Sequence, residues 1–286
     1  MVTRYKEIQQ KIQSRYEKLP ANQKKVADYI LDNFDSIPFL DVQKLAQFTD
    51  VSVASVVRFT QSVGFAGFSE LRNEISNSLK QQLKKNLVFP LIDKSKLQDD
   101  ILTSIANVDV KNINDTLTII DREIFNEVIE QIIKSNRVFT AGLGISYLLA
   151  EILAYQLTQV GVDSSVLKHT HTLFLEQLSY LKKDDLLIAF SFPPYSKETV
   201  ELGKYANQKN ISLISITNKP SSPIALFSKH ALIVKSENLL FTNSFAAISV
   251  LINAIATACV MKNKSRAEKV LKESEKIMID YDQIII

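Results

Sequence analysis

Residues 41–64 read DVQKLAQFTDVSVASVVRFTQSVG. Val42, Leu45 and Ala46 recur at helical spacing and put one apolar stripe on a short helix. Thr49-Asp50-Val51 breaks that pattern. Ser52 has the side chain of a good N-cap, and Val56, Phe59 and Val63 form the stripe of a second helix. Two short helices joined by a tight turn make a helix-turn-helix, which fits one helix into the major groove of DNA. With the apolar stripe turned inward, the opposite face carries Val53, Ser55, Arg58, Gln61 and Ser62. Arg and Gln can read guanine and adenine edges through paired hydrogen bonds. Arg58 can equally clamp a phosphate or sit in an internal ion pair. The helix N-terminus at Ser52 favours a DNA phosphate by its exposed N–H groups and its dipole. A helical hairpin used only for packing would show the same apolar stripes.

Working outward, residues 1–78 read as all-helical. Asn22 is placed to cap a helix whose apolar face is Val26, Tyr29, Ile30 and Phe34, and Pro38 disfavours helix at Ile37. Residues 64–68, GFAGF, form a turn with two aromatic anchors, and Ser69 is placed to cap a helix through Leu71, Ile75 and Leu79. Residues 1–85 hold 13 basic and 9 acidic residues, an excess of +4, whereas the remainder carries −1. The positive excess therefore lies on the segment with the helix-turn-helix, which mildly favours phosphate contact. Residues 80–100 (KQQLKKNLVFPLIDKSKLQDD) are polar, contain Pro90, and read as a linker. A helix is expected over Ile101–Ile119, and Asp121 is placed to cap another that ends near Ser135.

From Arg137 the pattern alternates. Short apolar runs at 138–141, 164–167, 186–190, 213–217 and 231–234 are mostly separated by helical segments. That implies an α/β domain with a mainly parallel sheet covered by helices on both faces. Residues 244–260 form a long apolar helix and 266–278 a more polar one. The expected division is 1–79 for DNA reading, 80–120 for a linker and connecting helix, and 121–286 for ligand binding and dimerisation.

Composition fits this plan. The chain has 286 residues, 46% hydrophobic and 23% charged, enough for about two domains with real cores. No apolar run approaches the ~20 residues of a membrane span, and MVTRYKEIQQ holds no signal-peptide core. The single cysteine, Cys259, lies in the apolar run NAIATACVM and reads as a small buried hydrophobe. A cytoplasmic location is the natural expectation. No membrane partner, cofactor or metal is expected.

Two loops carry the chemistry of the second half. VFTAGLGIS (138–146) runs from strand to helix. Gly142 and Gly144 let the backbone approach an anion, which the helix N-terminus favours. It is not a dinucleotide fingerprint, because Tyr147 stands at the third glycine position; a plain βα turn would look similar. LLIAFSFPPYSKET (186–199) also runs from strand to helix, and Ser191, Ser196 and Thr199 place three hydroxyls beside the helix start. ITNKPSSPI (216–224) adds a third strand-end turn. His169 and His171 follow a predicted strand. They could contact a ligand, act as acid or base with Glu176, or be structural; two histidines without a third ligand make no metal site. His230 has no functional case.

The N-terminal segment SVASVVRFTQSVGFAGFSEL, preceded by LDVQKLAQFTDV, resembles the DNA-binding domain of RpiR-type bacterial transcriptional regulators. Ser52, Val56, Val57, Arg58, Phe59, Gly64, Phe65, Gly67 and Phe68 carry the resemblance. Asp50 departs from it, standing where the family usually has glycine, but Asp tolerates the left-handed conformation better than most residues. Over roughly 125–262 the two loops resemble a sugar isomerase (SIS) domain. That resemblance implies that the loop serines and threonine, at Ser146, Ser191, Ser196 and Thr199, bind the phosphate of a phosphosugar. The second loop departs here too: the commoner pattern has two serines two apart followed by glycine, whereas these lie five apart and Lys197 replaces the glycine. Which hydroxyls meet phosphate is left open by that change. The resemblance implies a regulator that binds double-stranded operator DNA as at least a dimer and responds to a small phosphorylated ligand at Gly142, Gly144, Ser146, Ser191, Ser196, Thr199 and His169. A phosphosugar isomerase with an appended helical domain, and a regulator whose SIS fold only dimerises, are the alternatives.

Overall fold

The computed structural model describes residues 4–34, 36–85, 100–168, 174–240 and 242–281. The chain divides into two compact units, Met1–Leu91 and Ile92–Ile286.

The first unit is helical. In order it holds α1 (Arg4–Tyr16), α2 (Ala21–Asp32), a 3-10 turn (Ile37–Phe39), α3 (Val42–Phe48), α4 (Val53–Ser62) and α5 (Phe68–Lys85). Ile12, Val26, Ile30, Leu45, Val56, Phe59, Val63, Leu71 and Ile75 are sealed into one core, so the apolar stripes of five helices meet. Two expected caps fall elsewhere. Pro20, extended at φ −60 and ψ 156, starts α2 directly, which leaves Asn22 inside the first turn. Helix α5 begins at Phe68, so Ser69 is also inside, and the Glu70 carboxylate accepts from the Ala66 N–H instead.

The second unit contains α6 (Ile101–Ile119), α7 (Arg122–Lys134), β1 (Val138–Ala141), α8 (Ile145–Gln159), β2 (Ser164–Val166), α9 (Phe174–Leu178) and β3 (Leu186–Ser191). It continues through α10 (Lys197–Gln208), β4 (Ser212–Thr217), β5 (His230–Ile233), α11 (Ala246–Lys262) and α12 (Lys264–Asp280). Asp121 caps α7 as expected, accepting from the Glu123 and Ile124 N–H groups at 2.8 and 3.1 Å. The sheet order is β2-β1-β3-β4-β5, and every pairing among the described strands is parallel.

All six residues of β3 are buried, the mark of a strand covered on both faces. Leu186, Ile188 and Phe190 join a core with Val128 and Ile129 of α7, Leu149 and Leu153 of α8, and Ile248 and Leu251 of α11. Leu187 and Ala189 point the other way, into a core with Phe174 of α9 and Leu202 and Ala206 of α10. The period-2 alternation of the strand thus builds two cores from one run of apolar residues. Most of the apolar character of α11 is spent here: Ala247, Ile248, Leu251, Ile252, Ile255 and Cys259 are all interior. Burial pushes the Cys259 thiol up to about 12, so it remains a neutral, inert hydrophobe. No single helix among the described residues is long and apolar enough to cross a membrane.

Candidate functional site

The helix-turn-helix forms from α3 and α4. Asp50 sits at φ +50, so the turn uses the left-handed conformation that Asp tolerates. Thr49 Oγ1 donates to the Leu45 carbonyl at 2.8 Å and satisfies one group at the end of α3. Ser52 caps α4, its Oγ accepting from the Ser55 N–H at 3.2 Å and lying 3.0 Å from Ser55 Oγ. That leaves the N–H groups of Val53 and Ala54, which a helix start cannot pair internally, pointing outward. Val56, Phe59 and Val63 are fully buried, and Val53, Arg58, Gln61 and Ser62 are exposed on the opposite face. Ser55 is half-buried at its margin, and Ala54 joins the exposed set. Among the described residues Arg58 has no ion-pair partner within 4 Å, which removes support for the internal-pair reading.

The second site lies at the carboxyl end of the sheet. Strand β1 connects outward to β2, and the chain then returns to β3 on the other side of β1. Such a reversal opens a crevice beyond the carboxyl ends of β1 and β3, where open α/β sheets take their ligands. The register sets Ala141 beside Ala189, so residues 142–146 leave β1 next to the last turnings of β3. Both expected loops therefore meet at one place.

Their details differ. A Cβ on Gly142 would lie 2.4 Å from the Ser146 carbonyl oxygen, so only glycine lets the first turn of α8 fold back onto β1. Gly144, at φ +60 and ψ −129, occupies backbone space that side chains disfavour and starts α8 without a side-chain cap. Ser146 is buried just inside that helix. At the end of β3, Ser191 is 3% exposed and its hydroxyl has no hydrogen-bond partner among the described residues. Buried hydroxyls are ordinarily paired. Ser196 caps α10, accepting from the Thr199 N–H at 3.3 Å, and keeps its own proton to donate. Thr199 is buried behind it. Pro193 and Pro194, joined by a cis peptide bond, supply no N–H, so this loop offers hydroxyls rather than a string of amides.

His169 and His171 lie outside the described residues. Glu176 is exposed on the short helix α9. His230 sits far from the loops in register, at the start of β5, 3.4 Å from Glu127 of α7. No group of three His, Cys, Asp or Glu side chains among the described residues could hold a metal ion.

Residues 6–82 match the model of the rpiR-family helix-turn-helix domain, and residues 131–258 match the SIS domain. An HTH-type transcriptional regulator of Caldanaerobacter subterraneus is 30% identical over 220 residues, 76% of each chain. The chain belongs to the RpiR family of transcriptional regulators. An HTH-type regulator of Haemophilus influenzae is 28% identical to this RpiR-family chain over 229 residues, 78% of each. In structure, the Vibrio vulnificus NanR protein complexed with ManNAc-6P superposes with a TM-score of 0.61 at 24% identity, covering 96% of this chain and 98% of NanR. The sugar isomerase domain of an RpiR transcription factor from Sphaerobacter thermophilus gives 0.60 at 23%, covering 62% of this chain and 99% of that one. These neighbours share the fold. The RpiR family is one of regulators rather than enzymes, and this RpiR-family chain joins its helix-turn-helix to a SIS domain.

Two contacts around the crevice escaped sequence reading. The Asn243 carboxamide donates to the Pro193 carbonyl at 2.5 Å, and Tyr195 Oη donates to Asn218 at 2.7 Å. Both tie loop 192–196 to residues distant in the chain, and neither leaves a local pattern.

Proposed function

We propose that this regulator binds operator DNA through α4 as a dimer and that a phosphosugar or similar phosphorylated metabolite, bound between the loops after β1 and β3, changes that binding. The observation that carries the ligand reading is the Ser191 hydroxyl: buried, without a partner among the described residues, and at the crevice where the strand order reverses. Phosphate oxygens only accept hydrogen bonds, and Ser146, Ser191, Ser196 and Thr199 can each donate one. The α8 N-terminus at Gly144 adds the positive end of a helix dipole. Fifteen-residue α8 is long enough for that dipole to act.

On this reading residues 1–79 read DNA, 80–120 connect, and 121–286 bind ligand and dimerise, in the cytoplasm where operator DNA is found. Arg58 and Gln61 reach base edges, while Ser52, Val53 and Ser55 approach the backbone. One helix-turn-helix covers one half-site, so two copies supply register and affinity.

Calorimetric titration of the full chain with a panel of sugar 6-phosphates tests the ligand claim. ManNAc-6P belongs in the panel because the similarly folded NanR is described with it. At least one compound should bind without being converted to product. Ser191→Ala and Ser146→Ala should each weaken it about ten- to a hundredfold, a lost hydrogen bond to a charged group being worth ~1.5–3 kcal/mol. If no phosphosugar binds, or both variants bind like the parent, the crevice is not the ligand site and a purely dimerising SIS domain gains. Turnover of the bound sugar would favour the isomerase.

A further inference from the structure

Loop 192–196 is fastened by Tyr195 to Asn218 and, through the Asn243 side chain, to a segment that α6 holds. Asn243 Nδ2 donates to the Pro193 carbonyl at 2.5 Å, and its Oδ1 accepts from the Ser236 hydroxyl at 3.1 Å. The Ser244 N–H donates to the Ser236 carbonyl at 3.1 Å and closes this segment on itself. Ser244 Oγ then donates to Asp109 of α6 at 2.5 Å. Two more α6 side chains grip the same segment. Asn112 donates to the Glu237 carbonyl at 2.7 Å and accepts from the Glu237 N–H at 3.0 Å. Thr116 Oγ1 accepts from the Lys235 N–H at 2.9 Å.

Asp109, Asn112 and Thr116 fall at i, i+3 and i+7, on one helix face. Asn112 and Thr116 are 3% and 5% exposed. An apolar stripe would hold α6 in place at less desolvation cost. A paired polar stripe does something different: each bond fixes one donor against one acceptor, so helix and segment move together or the bonds break. At the loop end, Pro193 and Pro194 have φ fixed by their rings, which makes the loop stiff. A stiff loop passes on a displacement that a flexible one would absorb. At the other end, α6 begins at Ile101, next in sequence to the residues that lead from the first unit.

We propose that Asn243 is a positioning residue for the ligand loop, and that the chain Pro193–Asn243–Ser244–Asp109, braced by Asn112 and Thr116, carries the position of loop 192–196 to α6. The inference rests on the crevice being the ligand site. A ligand held by Ser191 and Ser196 settles the loop between them, and the Pro193 carbonyl moves with it. The shift reaches α6 as a changed preference between two placements of that helix, which is the only way a ligand can act at a distance.

The test uses the full chain, the panel phosphosugar that binds the parent most tightly, and a duplex selected by the parent from a random-sequence pool. Two quantities are read: ligand affinity by calorimetry, and the ratio of DNA affinities with and without ligand. Asn243→Asp keeps size and the acceptor toward Ser236 but, when ionised, cannot donate to Pro193. Asn243 is half-buried, so water can solvate the freed carbonyl and the fold should survive. Typical couplings are ~5–150-fold. In Asn243→Asp and in Asp109→Ala the ratio should fall below about threefold, while ligand affinity stays within about threefold of the parent. Asp109→Asn still accepts from Ser244 and should retain the parental ratio. A merely structural role would lower ligand affinity or stability without erasing the ratio. Parental ratios in both folded variants, Asn243→Asp and Asp109→Ala, would overturn the relay. Failure of every phosphosugar to bind the parent would overturn the crevice reading itself, and the relay with it.

Discussion

At the scale of single residues, the site depends on two glycines used for opposite reasons. At Gly142 the obstacle is space, since a Cβ would meet the Ser146 backbone. At Gly144 there is open space, and the obstacle is φ +60 with ψ −129. Gly142→Ala should therefore cost about 1–3 kcal/mol of stability, as overpacking does, and loosen the start of α8. Gly144→Ala should cost about 1–3 kcal/mol of backbone strain yet leave the packing beneath intact. Urea denaturation with amide exchange on α8 separates them; equal stability of Gly142→Ala and the parent would show that the turn can shift. In the first unit, Arg58→Ala should weaken operator binding by ~1–3 kcal/mol if it reads a base, with an unchanged melting temperature because the side chain is exposed and has no ion-pair partner among the described residues. Filter binding across related sequences would tell base reading from phosphate contact, since a lost phosphate contact weakens all sequences alike. Both glycines and Arg58 were visible in the sequence because loop glycines and exposed helix positions follow from local spacing. What local spacing did not show is which hydroxyl lacks a partner: Ser191, Ser196 and Thr199 look equivalent until Ser196 is seen capping α10.

At the scale of elements, periodicity located the five strands among the described residues within one residue or so, because each short run is bounded by turns, although only β3 is buried throughout. Helix starts were read less well. Asp121 and Ser52 cap as expected, but Pro20 and Glu70 displaced Asn22 and Ser69, since a fixed φ and a longer carboxylate compete with the nearest short polar side chain. Removing a good cap is a modest change: Asp121→Ala should cost about 1 kcal/mol. A larger effect belongs to the start of β1. Arg137 Nη2 lies 2.6 Å from Asp185 Oδ2, and Nε donates to Oδ1 at 3.1 Å, joining two neighbouring strands in register. Burial works to raise the Asp185 pKa, but the hydrogen bonds from Arg137 and the Lys182 N–H, with their positive charges, outweigh it and hold it below 3.8. A lowered carboxyl adds stability that is complete above the ordinary value and is lost as pH falls through the folded value. Acid should therefore destabilise the second unit below about pH 4. Arg137→Met should cost about 2–3 kcal/mol at pH 7 by leaving a buried charge half-satisfied, and should flatten the acid dependence. A variant with the parent's stability at pH 7 and the same acid profile would show that Asp185 does not depend on Arg137.

At the scale of the whole molecule, the bonds that brace the second unit were not legible in the sequence. Asn112 meets Glu237 across 125 positions and Asn243 meets Pro193 across 50, and no window of periodicity spans such distances. Most of the apolar helix α11 is core, so a dimer built through the second unit needs another apolar face. Helix α8 is a better candidate for that face. Leu149, Ala150, Leu153 and Leu157 are buried, while Ile145, Leu148, Ile152 and Tyr155, at spacings of three and four, make a second apolar stripe that is 37% to 65% exposed. An exposed apolar stripe of that kind marks a contact surface. A second copy of the chain is the occupant that DNA reading by paired half-sites demands. The chain should therefore sediment as at least a dimer at micromolar concentration, and so should residues 100–286 alone, whose core is self-contained. Leu148→Glu with Ile152→Glu should yield folded monomers, because charges on the stripe repel across a symmetric contact and lose little when they face water. Losing the second helix-turn-helix should then weaken binding to a two-half-site duplex about 100-fold or more, while a single half-site is bound as before. A parent that sediments as a monomer refutes the dimer. A parental dimer that survives both glutamates moves the contact to another face, the exposed apolar side chains of α6 being next in line.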